Sequence, residues 1–468
     1  MDNSVLGCSR GTPSRGKLPG DSTDISTLGR REKAFDIPDS CPFTIQEIPS
    51  NDNTSSNAWL IREHDQYGEF PHIYAKICSS KTREPGTQEL RVILLSDTGC
   101  GTEVSNTKFS SDTAASCGVE IEDGFIIVRR EHEVWNIRTF LEYTINPGGK
   151  IPYLVIATHC HYDHILGIRK LLPTAGDAPS PQEAKKTAPT TILASAKGQQ
   201  FVTPYETLQR HSLCSEIGIQ APRYEVTQWA HDFYPVVYKY PKSSDLGPPY
   251  DHILTTPYAI IHTLGHTPDS LSWYDADLRL LCVGDLFYLK QSEHTESAPW
   301  GPEAPKPTMF NLDSDFAQWW GALGKVLGFV REKNKDKEFG DEIPKKAGIE
   351  GMGNEEFNAP ASVKSRVKLT ASHTTLGIDA ETAVLEMQEF AAAVLRDDVP
   401  NVQVADGPRG EQRCLWDFSL GTDDASEEEI VSRLANAEWR FSILAPIKIV
   451  EDGRRRINKA EWGAARRQ

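Results

Sequence analysis

The run Ile151-Pro-Tyr-Leu-Val-Ile-Ala-Thr158, followed by His159-Cys160-His161-Tyr162-Asp163-His164, decides how this chain is read. Its first half is uncharged, apolar and contains β-branched residues, the pattern of a strand buried on both faces. Its second half delivers three histidines and an aspartate where that strand ends, and sites are commonly built at such ends. His159 and His161 are two apart, so in extended chain both imidazoles project to one side and can reach one ion. Asp163 and His164 follow after the chain has turned and can face a second ion beside the first. Neutral imidazole and carboxylate suit Zn(II), and also Fe or Mn. The competing reading is of turn residues and satisfied surface histidines. It is weak against three histidines at fixed offsets in a chain of 468 residues with 13 His.

His-x-His-x-Asp-His after a buried strand resembles the signature of the metallo-β-lactamase superfamily of binuclear metal hydrolases. Pattern alone gives only a mixed α/β class; the resemblance implies a four-layer αββα sandwich. Four further stretches match in the family's order. Arg91–Ser96 reads as a strand running into Asp97-Thr-Gly, where the resemblance implies a carboxylate that orients a ligand histidine. Gly265-His266-Thr ends a second apolar strand, with Gly allowing a sharp turn. Val283-Gly-Asp285 closes a hairpin over Ser270–Val283. Val367–Ser372 is a short strand ending in His373, with Ser372 where the family usually has Gly.

Carried over residue by residue, the resemblance assigns His159, His161 and His266 to one metal and Asp163, His164 and His373 to the other. Asp285 stands between them. The cofactors implied are two divalent ions, zinc first, with iron or manganese as alternatives. The implied reaction is hydrolysis of a thioester, ester or lactone by a metal-bound hydroxide, with Asp163 orienting the nucleophile or moving its proton. The order Gly-His-Thr, hairpin, Val-Gly-Asp looks most like the glyoxalase-II-type and acyl-CoA thioesterase branch. Two alternatives stand beside it: a mononuclear iron persulfide dioxygenase on the same fold, and a metal-binding scaffold without activity.

The net charge of −16 argues against nucleic acid as a partner. The expected partner is a small acyl substrate. No apolar run is long enough to span a membrane, and residues 1–31 lack the apolar core of a secretory signal. Nine scattered cysteines without a Cys-x-x-Cys pair read as free thiols, so the cytoplasm is the expected compartment.

The expected organisation is a disordered tail over 1–42, a metal-binding domain over 43–396 with insertions near 174–191 and 331–362, and an extension over 397–468. Helices are expected over Trp135–Tyr143, Ile165–Leu172, Asp313–Glu332 and Ala380–Arg396, and a capping box at Ser426-x-x-Glu429 opens another. His211, His231 and His262 read as structural. The apolar stripe of Asp313–Glu332 reads as core, with Trp319 or Trp320 lining a substrate groove as the alternative; Arg454–Arg456 reads as a solvated face, with contact to an anionic part of a substrate as the alternative.

Overall fold

The computed structural model describes residues 35–50, 55–80, 89–105, 118–122, 125–129, 133–172, 189–240, 253–335, 366–420 and 440–463. The strands Phe43–Glu47 (β1), Ala58–Glu63 (β2), His72–Ser79 (β3) and Arg91–Ser96 (β4) pair antiparallel in sequence. Val104–Ser105 (β5), Gly118–Glu122 (β6), Phe125–Arg129 (β7) and Val134–Trp135 (β8) form two small ladders, β5 with β8 and β6 with β7. Helix α1 (Ile137–Tyr143) starts two residues later than expected. Asn136 caps it, its side chain accepting from the N–H groups of Arg138 and Thr139, which fixes the boundary and leaves Trp135 in β8.

Tyr153–Ile156 (β9) is buried at every residue. It lies between β4 and Thr190–Ser195 (β10), parallel to both, and a central parallel strand has no face toward water. The helix expected over Ile165–Leu172 is instead two single turns, Tyr162–Ile165 (α2) and Ile168–Leu171 (α3). The break falls at Gly167, where a β-carbon would lie 2.1 Å from the carbonyl oxygen of Thr98. Helices α4 (Gln199–Val202) and α5 (Tyr205–His211) precede Gln228–Ala230 (β11), which completes a seven-stranded sheet in the order β1-β2-β3-β4-β9-β10-β11.

The second sheet follows: Pro235–Lys239 (β12), Ile253–His262 (β13), Leu271–Asp275 (β14) and Leu280–Cys282 (β15), with the expected hairpin between β14 and β15. After α6 (Glu293–Glu296), Thr308–Met309 (β16) and α7 (Phe316–Lys335), the chain returns to this sheet with Lys368–Thr370 (β17) and Ile378–Asp379 (β18). Helix α8 spans Ala380–Leu395. Leu94, Ile156 and Leu193 of the first sheet pack against Ile260, Trp273 and Leu280 of the second. Fully burying such side chains contributes about 1.5–3 kcal/mol each. The Trp273 indole N–H donates to Ser96 Oγ across the layers at 2.7 Å. Helix α1 packs on α3 and stacks Phe140 on Phe43 of the first sheet at 5.2 Å; α7 and α8 cover the second with Leu323, Val330, Met387 and Phe390. The layers run helix, sheet, sheet, helix, as the resemblance implied.

The chain beyond 396 joins this packing. Asn401–Gln403 (β19), Arg413–Trp416 (β20) and Ile443–Pro446 (β21) form a small sheet with β16, and Trp416, Ile443 and Val450 share the cluster under α7 and α8. Helices Ile447–Arg456 (α9) and Lys459–Gly463 (α10) end the described chain. Arg454, Arg455 and Arg456 pair with Asp397, Asp452 and Asp315, so the basic run is spent on ion pairs within the protein. Trp319 is fully buried, not in a groove. The Ser426–Glu429 capping box lies outside the described residues. No helix among the described residues is long and apolar enough to cross a membrane.

Candidate metal centre

Every histidine and aspartate of the expected site sits at the end of a strand or just beyond it, at one edge of the sandwich. His159 and His161 follow β9, and Asp163 and His164 occupy the first turn of α2. Gly265 turns the chain after β13 with φ +131°, and a β-carbon there would lie 2.3 Å from the backbone of Trp319. No other residue fits, and the turn swings His266 inward. Gly284 (φ +56°) does the same for Asp285 after β15. His373 follows β17.

Two groups of possible ligands result: His159, His161 and His266, and Asp163, His164, Asp285 and His373, all buried. In the first group His159 Nε2 is 2.9 Å from His161 Nδ1, and His266 Nε2 is 3.2 and 3.1 Å from those two atoms. Two nitrogens each about 2.0–2.1 Å from a tetrahedral ion would stand roughly 3.3 Å apart. In the second group Asp163 Oδ2 lies 3.2 Å from both His164 Nε2 and His373 Nε2. Asp285 Oδ2 is 3.6 Å from His164 Nε2, 3.5 Å from His373 Nε2 and 3.9 Å from His266 Nε2, so one carboxylate oxygen faces both groups.

The outer nitrogens of the imidazoles are all engaged. His164 Nδ1 donates to Asp97 at 3.0 Å, His266 Nδ1 to the Met309 carbonyl at 2.8 Å and His373 Nδ1 to the Glu69 carbonyl at 3.1 Å. His159 Nδ1 lies 3.2 Å from Thr158 Oγ1, a hydroxyl that itself donates to Asp97. A hydrogen on Nδ1 leaves the Nε2 lone pair of each ring pointing into its group. His161 is turned the other way, with Nδ1 inward and Nε2 3.1 Å from Asn311 Nδ2. Asp97 also accepts from the Thr158 N–H and from Ser372 Oγ, so the Ser in place of Gly before His373 has a defined bond.

Burial, more than the mutual repulsion of the rings, holds His159, His161 and His266 below the usual histidine range, His161 at about 3. They are therefore neutral and ligand-ready. Burial alone would lower His373 too, but Asp285 and Asp163 hold it up at about 9 and likewise raise His164. Burial works against ionisation of Asp163 and Asp285 as well, yet the adjoining histidines hold both well below the carboxylate range. In the metal-free protein the two carboxylates of the second group are thus balanced by the two imidazoliums beside them, a charge balance that a divalent cation would take over when it displaces their protons. His164 Nε2 and Asp285 Oδ1 are buried without a hydrogen-bond partner. The unpartnered Asp285 Oδ1, the carboxylate of Asp163 and the inward-facing imidazole nitrogens fit divalent cations, and among the described residues no cysteine takes part.

The histidines expected to be structural stay out of this constellation. His211 Nδ1 lies 3.1 Å from the Asp313 carboxylate, His231 is exposed, and His262 Nε2 bonds the Ala230 carbonyl at 2.9 Å. Cys160 is buried away from the ligands beside Asp269. Sequence reading did not find Glu69, Met309, Asn311, Thr158 or Ser372. A polar residue directly before a ligand histidine could have flagged Thr158 and Ser372. Glu69 and Met309 accept from the ligand histidines through main-chain carbonyls, which any residue type supplies.

A helix–sheet–sheet–helix domain with paired His/Asp ligand groups at one sheet edge defines a class of metal-binding proteins. The profile of the family described as "Metallo-beta-lactamase superfamily" matches residues 141–333. It is 25% identical over 150 residues to an Aspergillus versicolor protein named "Putative transcription factor avaE"; the match covers 32% of this chain and 36% of that protein. The chain thus spans about a third of that relative's length. Similar solved structures include the BLEG-1 B3 metallo-beta-lactamase (11% identity, 72% of this chain and 95% of that one, TM-score 0.33). Another is a metallo-beta-lactamase from Pontibacter korlensis (14% identity, 73% and 96%, TM-score 0.33).

Proposed function

We propose that this protein is a hydrolase with a binuclear metal centre, zinc first, that cleaves a thioester, ester or lactone. The first choice within that range is a thioesterase of the glyoxalase-II-like kind. The observation that carries the reading is the position of Asp285 Oδ2, within 3.9 Å of a nitrogen from the three-histidine group and 3.6 Å of two from the other. A carboxylate so placed would serve both ligand groups when each holds a divalent cation. When bound, the ions would lower the pKa of a water and polarise a substrate carbonyl.

The residues of the chain would do the rest. His159, His161 and His266 would hold one ion; Asp163, His164 and His373 the other. Asp97 fixes the His164 ring, and the Met309 and Glu69 carbonyls fix His266 and His373. Asp163 remains slightly exposed, at 7%, and is the group we assign to orient the attacking water or move its proton. The seven cysteines among the described residues are unpaired thiols, which supports a reducing, cytoplasmic setting.

The test is thiol release from a panel of acyl-CoA and acyl-glutathione thioesters by zinc-loaded protein, with His161→Ala as control and esters and lactones alongside. The reading expects turnover of at least one class that falls by roughly a hundredfold or more in the variant. No turnover on any panel member would overturn it, and oxygen consumption with a persulfide would replace it with iron-dependent dioxygenase chemistry.

A further inference from the structure

The turn between β2 and β3 lies far in sequence from the ligand motifs and outside the matched residues 141–333. Asp65 organises it. Its Oδ1 accepts from the N–H groups of Tyr67 at 2.7 Å and Glu69 at 3.3 Å, and its Oδ2 accepts from the Phe70 N–H at 2.6 Å. These bonds hold Phe70 in left-handed backbone (φ +47°), an uncommon conformation for a bulky residue. The consequence is the direction of the Glu69 carbonyl, which receives the His373 Nδ1 hydrogen at 3.1 Å.

The Glu69 side chain reaches the same neighbourhood from its other end. Its Oε1 accepts from the Tyr162 hydroxyl at 2.6 Å, and Tyr162 stands between the ligands His161 and Asp163. Its Oε2 accepts from Lys306 Nζ at 2.7 Å. A second set of contacts clamps the turn from outside: the Trp300 ring stacks on His64 at 5.0 Å and Phe70 at 5.7 Å, with Arg62 over it at 4.9 Å. One residue therefore fastens the last ligand histidine, the helix turn carrying Asp163 and the loop carrying Lys306.

We propose that Asp65 and Glu69 are positioning residues for the second metal group: Asp65 aims the Glu69 carbonyl, and Glu69 sets the ring of His373 and the seat of Asp163. The inference rests on the two-ion reading above. The three-histidine group is held by other partners, Met309, Asn311 and Thr158, so the effect is confined to one ion.

The experiment titrates zinc into metal-free full-length chain against a chromophoric chelator, for wild type, Asp65→Ala, Asp65→Asn and Glu69→Ala, with thermal melts in parallel. Loss of a partner that orients a ligand commonly lowers metal affinity by about 10–100-fold. Wild type is expected to bind two ions. Asp65→Ala is expected to bind the first as tightly and the second at least roughly tenfold more weakly; Glu69→Ala, which keeps the carbonyl and loses the Tyr162 and Lys306 bonds, is expected to weaken the second by a smaller factor. Asp65→Asn keeps one carbonyl acceptor for the turn and is expected to fall between; it replaces Asp65→Ala should that variant not fold. Equal loss of both ions, or second-ion affinity unchanged in the variants, would overturn the inference while leaving the two-ion reading intact. A wild type that binds fewer than two ions would overturn both.

Discussion

His164 Nδ1 donates to Asp97 Oδ2 at 3.0 Å, and both residues are fully buried. Asp97 sits at the end of β4 with φ +63° and also receives Thr158 N–H, Thr158 Oγ1 and Ser372 Oγ, gathering the two segments that carry His159 to His164 and His373. Asp97→Ala leaves several buried donors without an acceptor, each worth about 1–3 kcal/mol. The expected result is a loss of roughly 3 kcal/mol or more in urea unfolding and a drop of about 10–100-fold in affinity for one zinc ion. Ser372→Ala, which removes one of those bonds, is expected to lose about 1 kcal/mol.

Gly265→Ala places a β-carbon 2.3 Å from the Trp319 backbone at a φ of +131°. Neither helix α7 nor β13 can yield, because Trp319 is fully buried in the core. The expected loss exceeds about 3 kcal/mol. A thermal melt measures it, and zinc binding by the three-histidine group is expected to weaken with it.

The pH profile of the metal-free protein follows from the two groups. His373, held at about 9 mainly through Asp285 and Asp163 against its own burial, and His164, raised likewise, bind protons more tightly folded than unfolded. Their contribution is complete below about 6.5 and lost as pH rises toward 9. His159, His161 and His266, lowered by burial, contribute fully above about 6.5 and less as pH falls toward the value of about 3 at His161. Metal-free stability should therefore peak near pH 6.5. Zinc should stabilise more with each step up in pH, where it competes with fewer protons. Denaturant midpoints between pH 5 and 9, with and without zinc, check both limbs.

Lys76 and Asp275 form a buried ion pair at 2.7 Å between the two sheets, remote from the ligands. Lys76→Met strands a buried carboxylate and should lose about 3–5 kcal/mol. Zinc affinity should not change, which separates stability of the sandwich from integrity of the site.

Lys76 also marks a limit of sequence reading. In β2 and β3 the charged and polar residues Arg62, Glu63, His72 and Lys76 carry no sign of burial in their residue type, yet all four are buried. Glu63 accepts the Cys100 and Thr102 N–H groups, and Arg62 pairs with Glu303. Partners that lie 37 to 241 residues away leave no local pattern. By contrast β9, β13 and the β14–β15 hairpin were legible because burial imposes a hydrophobic period on consecutive residues. The ligands were legible as short motifs at strand ends. The supporting contacts from Glu69, Met309 and Asn311 come from loops whose spacing obeys no period. The two-residue strand β16 was invisible for a similar reason, since it exists only by pairing Thr308 with Ile443.

The most direct test of the central claim is the metal content of the purified full-length chain after zinc loading and gel filtration, measured by elemental analysis for wild type, His266→Ala and His373→Ala. Two zinc ions per chain in wild type and one in each variant is the expected result. One ion in wild type, unaffected by His373→Ala, would contradict the binuclear centre.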